Sequence, residues 1–222
     1  MASALFYQMI TEKTEADKDQ EHINIVLLSD ASTPDRTGAI LSGDDAQKQA
    51  AFDSLHRDCK TLESLGCKAI CVTCNTAHYF VHQIDDLSIP VISMIRETAK
   101  AMGKAHKGER IAILATNGTI ETQLYQDALR ENGVIPYVCG EENRAATMHL
   151  IYDCIKSGKP ADKDALAAID KEVKAAGCAG ALLACTELSV IKVDEKLDDF
   201  YTDPMEVMAE RAIEFMGKKV RK

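Results

Sequence analysis

The sequence lacks the features that mark membrane, secreted and nucleic-acid-binding proteins. No apolar run reaches the roughly 18 residues of a membrane-spanning helix, so we expect no membrane partner. The first residues lack the basic start and long apolar stretch of a signal peptide, and we expect a cytoplasmic protein. The formal net charge is −9 and no basic stripe with aromatics occurs, which argues against a nucleic-acid partner.

Cofactor-binding motifs are also missing. The chain has no Walker loop and no Gly-x-Gly-x-x-Gly, and nothing identifies a pyridoxal-binding lysine, so no cofactor is implied. A hydrophobic fraction of 46% over 222 residues is ample for the core of one large or two small domains. Because the chain is acidic overall, an anionic substrate would need local cations inside its pocket.

Cysteine, by contrast, is plentiful. Eight cysteines occur, at positions 59, 67, 71, 74, 139, 154, 178 and 185. Most lie inside apolar strand or helix patterns, which favours reduced thiols over a disulfide framework. Cys71-x-x-Cys74 is also compatible with a redox pair or half a zinc site, but residues three apart in a strand face opposite sides. Cys74, His78 and His82 are spaced four apart, which ordinary helix packing explains without a metal, and we expect none.

A short sequence phrase occurs twice. The segments 66–76 and 177–187 each begin with Gly-Cys, continue with small apolar residues, and end in a cysteine followed by polar residues. The two final cysteines, Cys74 and Cys185, lie 111 residues apart, which is half the chain length. The repeat predicts two similar lobes, each presenting one thiol at the carboxyl end of a buried strand, where parallel sheets bind ligands.

The hydrophobic pattern predicts an α/β protein with parallel sheets covered by helices on both faces. Strand patterns cover 23–28, 68–73, 90–93, 110–115 and 134–138, and helix patterns cover 2–14, 44–65, 76–84, 94–106, 119–131 and 160–176. Residues 29–43 have a loop-like composition. We expect two three-layer, Rossmann-like lobes related by a pseudo-two-fold axis, one formed by 1–93 with 204–222 and one by 94–203.

The repeat also predicts a missing element. In the second half, the strand at 110–115 and a glycine-containing turn precede the helix with Tyr125 and Gln126. The matching helix in the first half contains Tyr7 and Gln8, and nothing precedes it. We therefore expect that a first strand and its turn are absent from this chain, and that Met1 is an internal methionine of a longer protein.

The two matched cysteines suit thiolate chemistry. Each lies at a predicted strand-to-helix turn, where backbone N–H groups favour negative charge and can hold a carboxylate. Asn75 and Thr76 follow the first cysteine, and Thr186 and Glu187 follow the second. Either cysteine alone would be read as a small buried apolar residue. Their matched positions favour a pair of catalytic thiols.

Three other features are compatible with substrate binding, although each has a simpler explanation. Arg36 is either a solvated loop arginine or a bidentate clamp on a carboxylate. Lys156 lies at a predicted helix end, where a lysine also complements the helix dipole. The turn from Thr116 to Thr119 follows a strand and opens a helix, so it could hold an anion, but such turns are common.

These residues carry a resemblance to a known family. Cys74–His78 and Ala184–Leu188 look like the two signature motifs of the aspartate/glutamate racemase superfamily. The segments 34–37, 114–119 and 155–158 resemble parts of its aspartate racemase branch, in the same order. The resemblance covers essentially the whole chain. It implies two similar α/β lobes with the active site in the cleft between them, usually in a homodimer.

The resemblance also implies a cofactor-independent racemase in which Cys74 and Cys185 are the catalytic residues. Asn75, Thr76 and Thr186 match positions that hold the α-carboxylate or nearby groups. Arg36 and Lys156 match the cations that bind the side-chain carboxylate. We add the neighbouring turn residues Thr116 and Glu187 to the expected substrate-binding set. Some relatives replace the first cysteine by threonine, whereas this chain keeps both.

The sequence therefore predicts an enzyme that interconverts L- and D-aspartate, with glutamate as a possible second substrate. One thiolate removes the Cα proton and the other thiol returns a proton to the opposite face. Alternatives within the superfamily are a glutamate or hydantoin racemase and a maleate isomerase. Outside it, a non-catalytic amino-acid-binding protein and a redox protein remain open.

Overall fold

A computed structural model describes residues 2–221 and divides the chain into two compact units. The first unit comprises Met1–Glu97 and Met205–Lys222, and the second comprises Thr98–Pro204. The helices are α1 Ala2–Lys13, α2 Arg36–Leu41, α3 Asp45–Ser64, α4 His78–Val81, α5 Met94–Ala105, α6 Asn117–Glu121, α7 Leu124–Glu131, α8 Glu141–His149, α9 Lys163–Ala175, α10 Thr186–Glu195 and α11 Pro204–Phe215. A 3₁₀ turn at Asp19–Glu21 and a π-helical turn at Leu150–Ile155 complete the helical elements of the described chain.

The strands form two parallel sheets. They are β1 Ile70–Cys71, β2 Val91–Ile92, β3 Arg110–Ala115, β4 Ile135–Tyr137, β5 Gly180–Ala184 and β6 Tyr201–Thr202. In the first unit β1 pairs with β2, and in the second unit the strand order is β4-β3-β5-β6. Every ladder is parallel and helices alternate with strands along the chain, which confirms the predicted α/β class.

The second unit is built around β3 and β5. Their register pairs Ile111 with Gly180 and Ala115 with Ala184, and every residue of β5 is buried. Strands that are apolar along their whole length are typical of parallel sheets with both faces covered. Gly180 allows close packing, because a Cβ there would lie 3.1 Å from the Phe200 carbonyl oxygen.

The core of the first unit uses both ends of the chain. Phe6, Met9 and Ile10 of α1 are buried in one cluster with Met208 and Ile213 of α11. A second cluster joins α3 and α4. The chain therefore leaves the first unit, completes the second, and returns to finish the first.

Several helix and strand predictions are confirmed. The strand at 110–115 and the helix at 2–14 occur within one residue of the expected ends. Helix α3 begins after Asp44, whose side chain accepts a hydrogen bond from the Ala46 N–H at 2.9 Å. Gly66 follows the helix with φ of +79°, a left-handed conformation that glycine adopts without strain.

The predicted strand at 23–28 is wrong. This segment has no regular secondary structure; Ile23 and Ile25 pack against the first unit's core, whereas Val26, Leu27 and Leu28 are exposed. Apolar composition alone does not make a strand, because each strand also needs a neighbour that satisfies its backbone hydrogen bonds.

Two other predictions need correction. Residues 29–43, expected to form a loop, contain α2, which Asp35 caps by accepting from the Gly38 N–H. The single helix expected at 119–131 is two helices, α6 and α7, because Gln123 between them has φ of +53°. A left-handed residue cannot continue a right-handed helix.

Candidate active site

Cys74 lies in the short connection between β1 and α4. The strand ends at Cys71 and the helix begins at His78, so the thiol sits near the carboxyl end of a parallel strand as the sequence predicts. The side chain is half-buried. The Nη2 atom of Arg36 lies 3.9 Å from its Sγ atom. A permanent positive charge therefore faces the first of the two repeated cysteines.

Arg36 is held in place by its own turn. It is the first residue of α2, and its Nη1 atom donates to the carbonyl oxygens of Pro34 at 2.9 Å and Thr33 at 3.3 Å. The guanidinium is thus folded back over the preceding loop rather than extended into solvent. This geometry removes the solvated-loop interpretation and leaves a fixed cation next to a thiol.

The residues after Cys74 are buried. Asn75 is 3% exposed, Thr76 is 5% exposed and His78 is completely buried. Burial, followed by the nearby His82, lowers the pKa of His78 to about 3, and the Val72 carbonyl opposes both. His78 is therefore a neutral imidazole at physiological pH, and its packing fixes the base of the turn that carries the thiol.

Cys185 is the N-cap residue of α10 and directly follows β5. It is 7% exposed, and its thiol donates a hydrogen bond to the Glu187 Oε2 atom at 2.9 Å. Lys156 Nζ lies 3.6 Å from the other carboxylate oxygen of Glu187. The second unit thus combines a thiol, a carboxylate and a cation, all three of which the sequence selects.

Lys156 is positioned by the π-helical turn. Its N–H donates to the Ile151 carbonyl at 3.0 Å, a bond spanning five residues, and its Nζ atom lies 4.8 Å from the centroid of the Tyr152 ring. The aromatic face and the Glu187 carboxylate hold the ammonium from two sides. The lysine is therefore a fixed part of the Cys185 surroundings rather than only a complement to a helix end.

The two remaining predicted residues, Thr116 and Thr186, are buried at helix starts. Thr116 caps α6 and accepts a hydrogen bond from the Thr119 N–H at 3.3 Å. Thr186 is the first residue of α10 and is 7% exposed. Both hydroxyls lie at the carboxyl edge of the second unit's sheet, where β3 and β5 end.

A buried polar network behind Cys185 was missed from the sequence. Ser189, one helical turn after the cysteine, donates to the Asp203 Oδ1 atom at 2.9 Å, and both residues are almost fully buried. Tyr125 is also completely buried; burial raises its pKa, and the charges of Asp203 and Cys185 add to this. The four-residue spacing from Cys185 to Ser189 was the one signal available in the sequence.

The structure thus places the predicted residues in two polar groups, one in each unit. Arg36, Cys74, Asn75 and Thr76 belong to the first unit. Thr116, Lys156, Cys185, Thr186 and Glu187 belong to the second. All eight cysteines, including the two repeated ones, carry free thiols.

These features define an α/β protein that presents one cysteine at a strand end in each of two units, the first facing a guanidinium and the second bonded to a carboxylate that pairs with a lysine. A family model described as Asp/Glu/Hydantoin racemase matches residues 1–212, and the chain belongs to this family. No helix within the described part of the chain combines the length and apolar character that crossing a bilayer requires.

Solved structures share the fold over the whole chain. An aspartate racemase from Picrophilus torridus is 26% identical and superposes with a TM-score of 0.82, covering 100% of this chain and 91% of that one. An aspartate racemase homologue from Pyrococcus horikoshii is 21% identical with a TM-score of 0.75, covering 97% and 94%.

Matches to curated sequences are shorter. A broad specificity amino-acid racemase, RacX, from Bacillus subtilis is 33% identical over 90 residues, which is 40% of this chain and 37% of that protein. A glutamate racemase from Exiguobacterium sibiricum is 41% identical over 71 residues, or 31% of this chain and 26% of that protein. The matched stretches therefore span well under half of these relatives.

Proposed function

We propose that this protein is a racemase that interconverts the L and D forms of an acidic amino acid without a cofactor, with aspartate as the preferred substrate. The observation that carries the proposal is the arrangement around the two repeated cysteines. Cys74 faces the guanidinium of Arg36, and Cys185 donates to a carboxylate that is paired with Lys156. Membership of the Asp/Glu/Hydantoin racemase family supports the same reaction class.

The proposed reaction uses the two thiols on opposite faces of Cα. A thiolate takes the Cα proton, the C–H electron pair moves into the α-carboxylate, and the carbon becomes planar. The other thiol then gives its proton to the opposite face, so the two sulfurs exchange protonation states in each turnover. Donors at the helix starts, including the hydroxyls of Thr76 and Thr186, would stabilise the charge that develops on the α-carboxylate.

The cations support a dicarboxylic substrate. The Arg36 guanidinium is held by its own turn, and the Lys156 ammonium by the Tyr152 ring and the Glu187 carboxylate, so little side-chain freedom is lost when a second carboxylate binds. They also offset the formal net charge of −9, which would otherwise repel an anion. The name of the Picrophilus torridus structure supports aspartate.

Glutamate is the second candidate substrate, because several curated relatives are named glutamate racemases. The two acids differ by one methylene, which typically changes binding by about 1–3 kcal/mol in a fitted pocket. Comparing initial rates on L-aspartate and L-glutamate at equal concentration decides between them. An initial rate more than tenfold higher on L-glutamate than on L-aspartate would show that glutamate, and not aspartate, is the preferred substrate.

Proton NMR of L-aspartate in deuterated water tests the reaction directly. The wild-type protein should replace the Cα proton by deuterium and produce D-aspartate. Cys74→Ala and Cys185→Ala should each abolish racemisation, and one of them should still exchange the Cα proton of a single enantiomer. Cys67→Ala, which changes the non-catalytic cysteine of the first repeat, is the matched control and should act like wild type.

Other outcomes would redirect the proposal. Racemisation at the parental rate by both alanine variants would refute the two-thiol reaction. Binding of aspartate without deuterium entering Cα would indicate a non-catalytic amino-acid-binding protein. Fumarate formation from maleate would indicate the maleate isomerase alternative, because that product contains no amino group.

A further inference from the structure

The π-helical turn at Leu150–Ile155 brings together side chains that an α-helix would separate. In an α-helix, residues five apart differ by about 140° around the axis, whereas hydrogen bonds from i to i+5 bring such residues onto one side. The bond from the Lys156 N–H to the Ile151 carbonyl has this spacing. His149 and Cys154 are also five apart, and the turn aligns their side chains.

The aligned pair belongs to a cluster of four titratable groups. Cys154 Sγ lies 3.6 Å from His149 Nε2, and His149 Nδ1 lies 3.0 Å from the Asp153 Oδ2 atom. A second carboxylate oxygen, Oδ2 of Asp162, lies 3.5 Å from His149 Nε2. A thiol next to an imidazole, with the imidazole oriented by a carboxylate, is the arrangement that activates nucleophilic cysteines.

We propose that Cys154 is a modification site that reacts with small hydroperoxides, with His149 as its base and Asp153 as the residue that orients the histidine. His149 Nε2 takes the thiol proton, and the thiolate sulfur attacks one oxygen of hydrogen peroxide. The S–O bond forms as the O–O bond breaks, and the proton returns to the departing hydroxide as water. The sulfur is oxidised to a sulfenic acid and the peroxide is reduced.

The surroundings of Cys154 explain why the reagent must be small. The residue is 5% exposed and packs in the second unit's core, whereas the side chains of His149 and Asp162 are each 44% exposed. The exposed histidine is the side of the cluster that a molecule of the size of hydrogen peroxide would meet first. A bulky alkylating reagent has no comparable access.

Two other buried cysteines in the same unit provide an internal contrast. Burial, followed by the charge of Glu172, raises the pKa of Cys139 to about 12, and burial raises that of Cys178 as well. Both therefore stay as thiols at neutral pH and react slowly with peroxide. Changing His149 then tests whether the histidine cluster, rather than burial, sets the rate at Cys154.

The experiment uses the full chain carrying Cys74→Ala and Cys185→Ala, so that the repeated cysteines cannot contribute. The protein is exposed to hydrogen peroxide, quenched, unfolded and labelled with dimedone, which marks sulfenic acids. Mass spectrometry of the peptides should show Cys154 oxidised at least tenfold faster than Cys139 and Cys178. His149→Gln should lower the Cys154 rate to theirs, whereas the control His106→Gln, which changes another histidine paired with an acid, should leave it unchanged.

A second variant covers the case in which His149→Gln impairs folding. Asp153 has a side chain that is 69% exposed, so Asp153→Asn should fold normally. It should still slow the oxidation severalfold, because the neutral amide no longer stabilises the charge that His149 gains when it takes the thiol proton. Oxidation of Cys154 no faster than that of Cys139, or a rate unaffected by both variants, would overturn the proposal. The readout is the modified peptide itself, so it does not depend on racemase activity.

Discussion

The thiol of Cys185 donates to the Glu187 carboxylate at 2.9 Å, and this carboxylate is also paired with Lys156. Cys74, in the other unit, instead faces the guanidinium of Arg36. The two repeated cysteines therefore have partners of opposite charge. In the proposed reaction, this asymmetry would set how readily each sulfur gives up or accepts its proton.

Glu187→Gln should slow the reaction by about 10- to 100-fold, because an amide keeps the shape of the side chain but lacks the negative charge to which the thiol donates its hydrogen bond. Initial rates from both enantiomers, followed by circular dichroism, give the measurement. Glu195→Gln is the matched control, because Glu195 ends the same helix but pairs with Lys163 at the surface. Unchanged rates for Glu187→Gln would show that this hydrogen bond is only structural.

Arg36→Lys should weaken binding of aspartate about tenfold. The lysine keeps the positive charge but loses the planar fork that bonds to the Pro34 and Thr33 carbonyls, so the cation is no longer fixed. We expect KM to rise more than kcat falls. Arg57→Lys, which changes an arginine paired with Asp30, is the control. An unaltered KM for Arg36→Lys would remove Arg36 from the substrate site.

Glu172→Ala should lower the free energy of unfolding by about 2–3 kcal/mol at neutral pH. The Glu172 carboxylate accepts hydrogen bonds from the Tyr137 hydroxyl at 2.8 Å, the Gly140 N–H at 2.7 Å and the Asn143 side-chain amide. It thereby ties α9 to the start of α8. Urea unfolding of wild type and variant measures the change in the free energy of unfolding. The control Glu142→Ala, at an exposed position of α8, should leave this free energy nearly unchanged.

The effect of Glu172 should also depend on pH. Burial acts to raise its pKa, but the bonds from Asn143, Gly140 and Tyr137 outweigh burial and leave the pKa lowered. A lowered folded-state pKa stabilises the protein above the ordinary glutamate range, and this contribution is lost as pH falls through the folded pKa. The difference between wild type and Glu172→Ala should therefore shrink below about pH 4. A difference that stays constant well below pH 4 would contradict a contribution from the charged carboxylate.

His78 should make folding sensitive to mild acid. Its folded-state pKa is about 3, well below that of an exposed histidine. Between these two pKa values, His78 is protonated in the unfolded chain and neutral in the folded chain. The free energy of unfolding should fall as pH drops below about 6.5, by up to about 1.4 kcal/mol per pH unit. His78→Leu should flatten this slope. His106→Gln should not, and parallel curves for wild type and His78→Leu would refute the prediction.

The elements closest to Cys185 were the most predictable from the sequence. The strands at 110–115 and 180–184 are continuous apolar runs, because both of their faces are covered, and such runs are hard to misread. Polar residues that follow such a strand and begin a helix then lie at the carboxyl edge of the sheet, where a ligand site is expected. This is why the thiol and its partners Thr186 and Glu187 could be selected in advance.

Other features carried no comparable signal. The run at 23–28 is as apolar as a strand, but whether it forms a ladder depends on a neighbour that composition does not reveal. Tertiary packing sets both the left-handed conformation of Gln123 and the π-helical turn. Glutamine is not typical of the left-handed conformation, and residues 150–155 show no pattern that predicts a π-helix. The Ser189–Asp203 bond joins positions 14 residues apart, which no helix or strand period connects.

The first unit is built from two separate segments of the chain, and this has a consequence for folding during synthesis on the ribosome. Residues 98–204 are continuous, so the second unit can fold as soon as it emerges. The first unit needs Met205, Met208, Ala209 and Ile213, which are fully buried against the N-terminal helix. Although it starts the chain, its core can close only after these late residues leave the exit tunnel, which reverses the usual order in which N-terminal domains fold first.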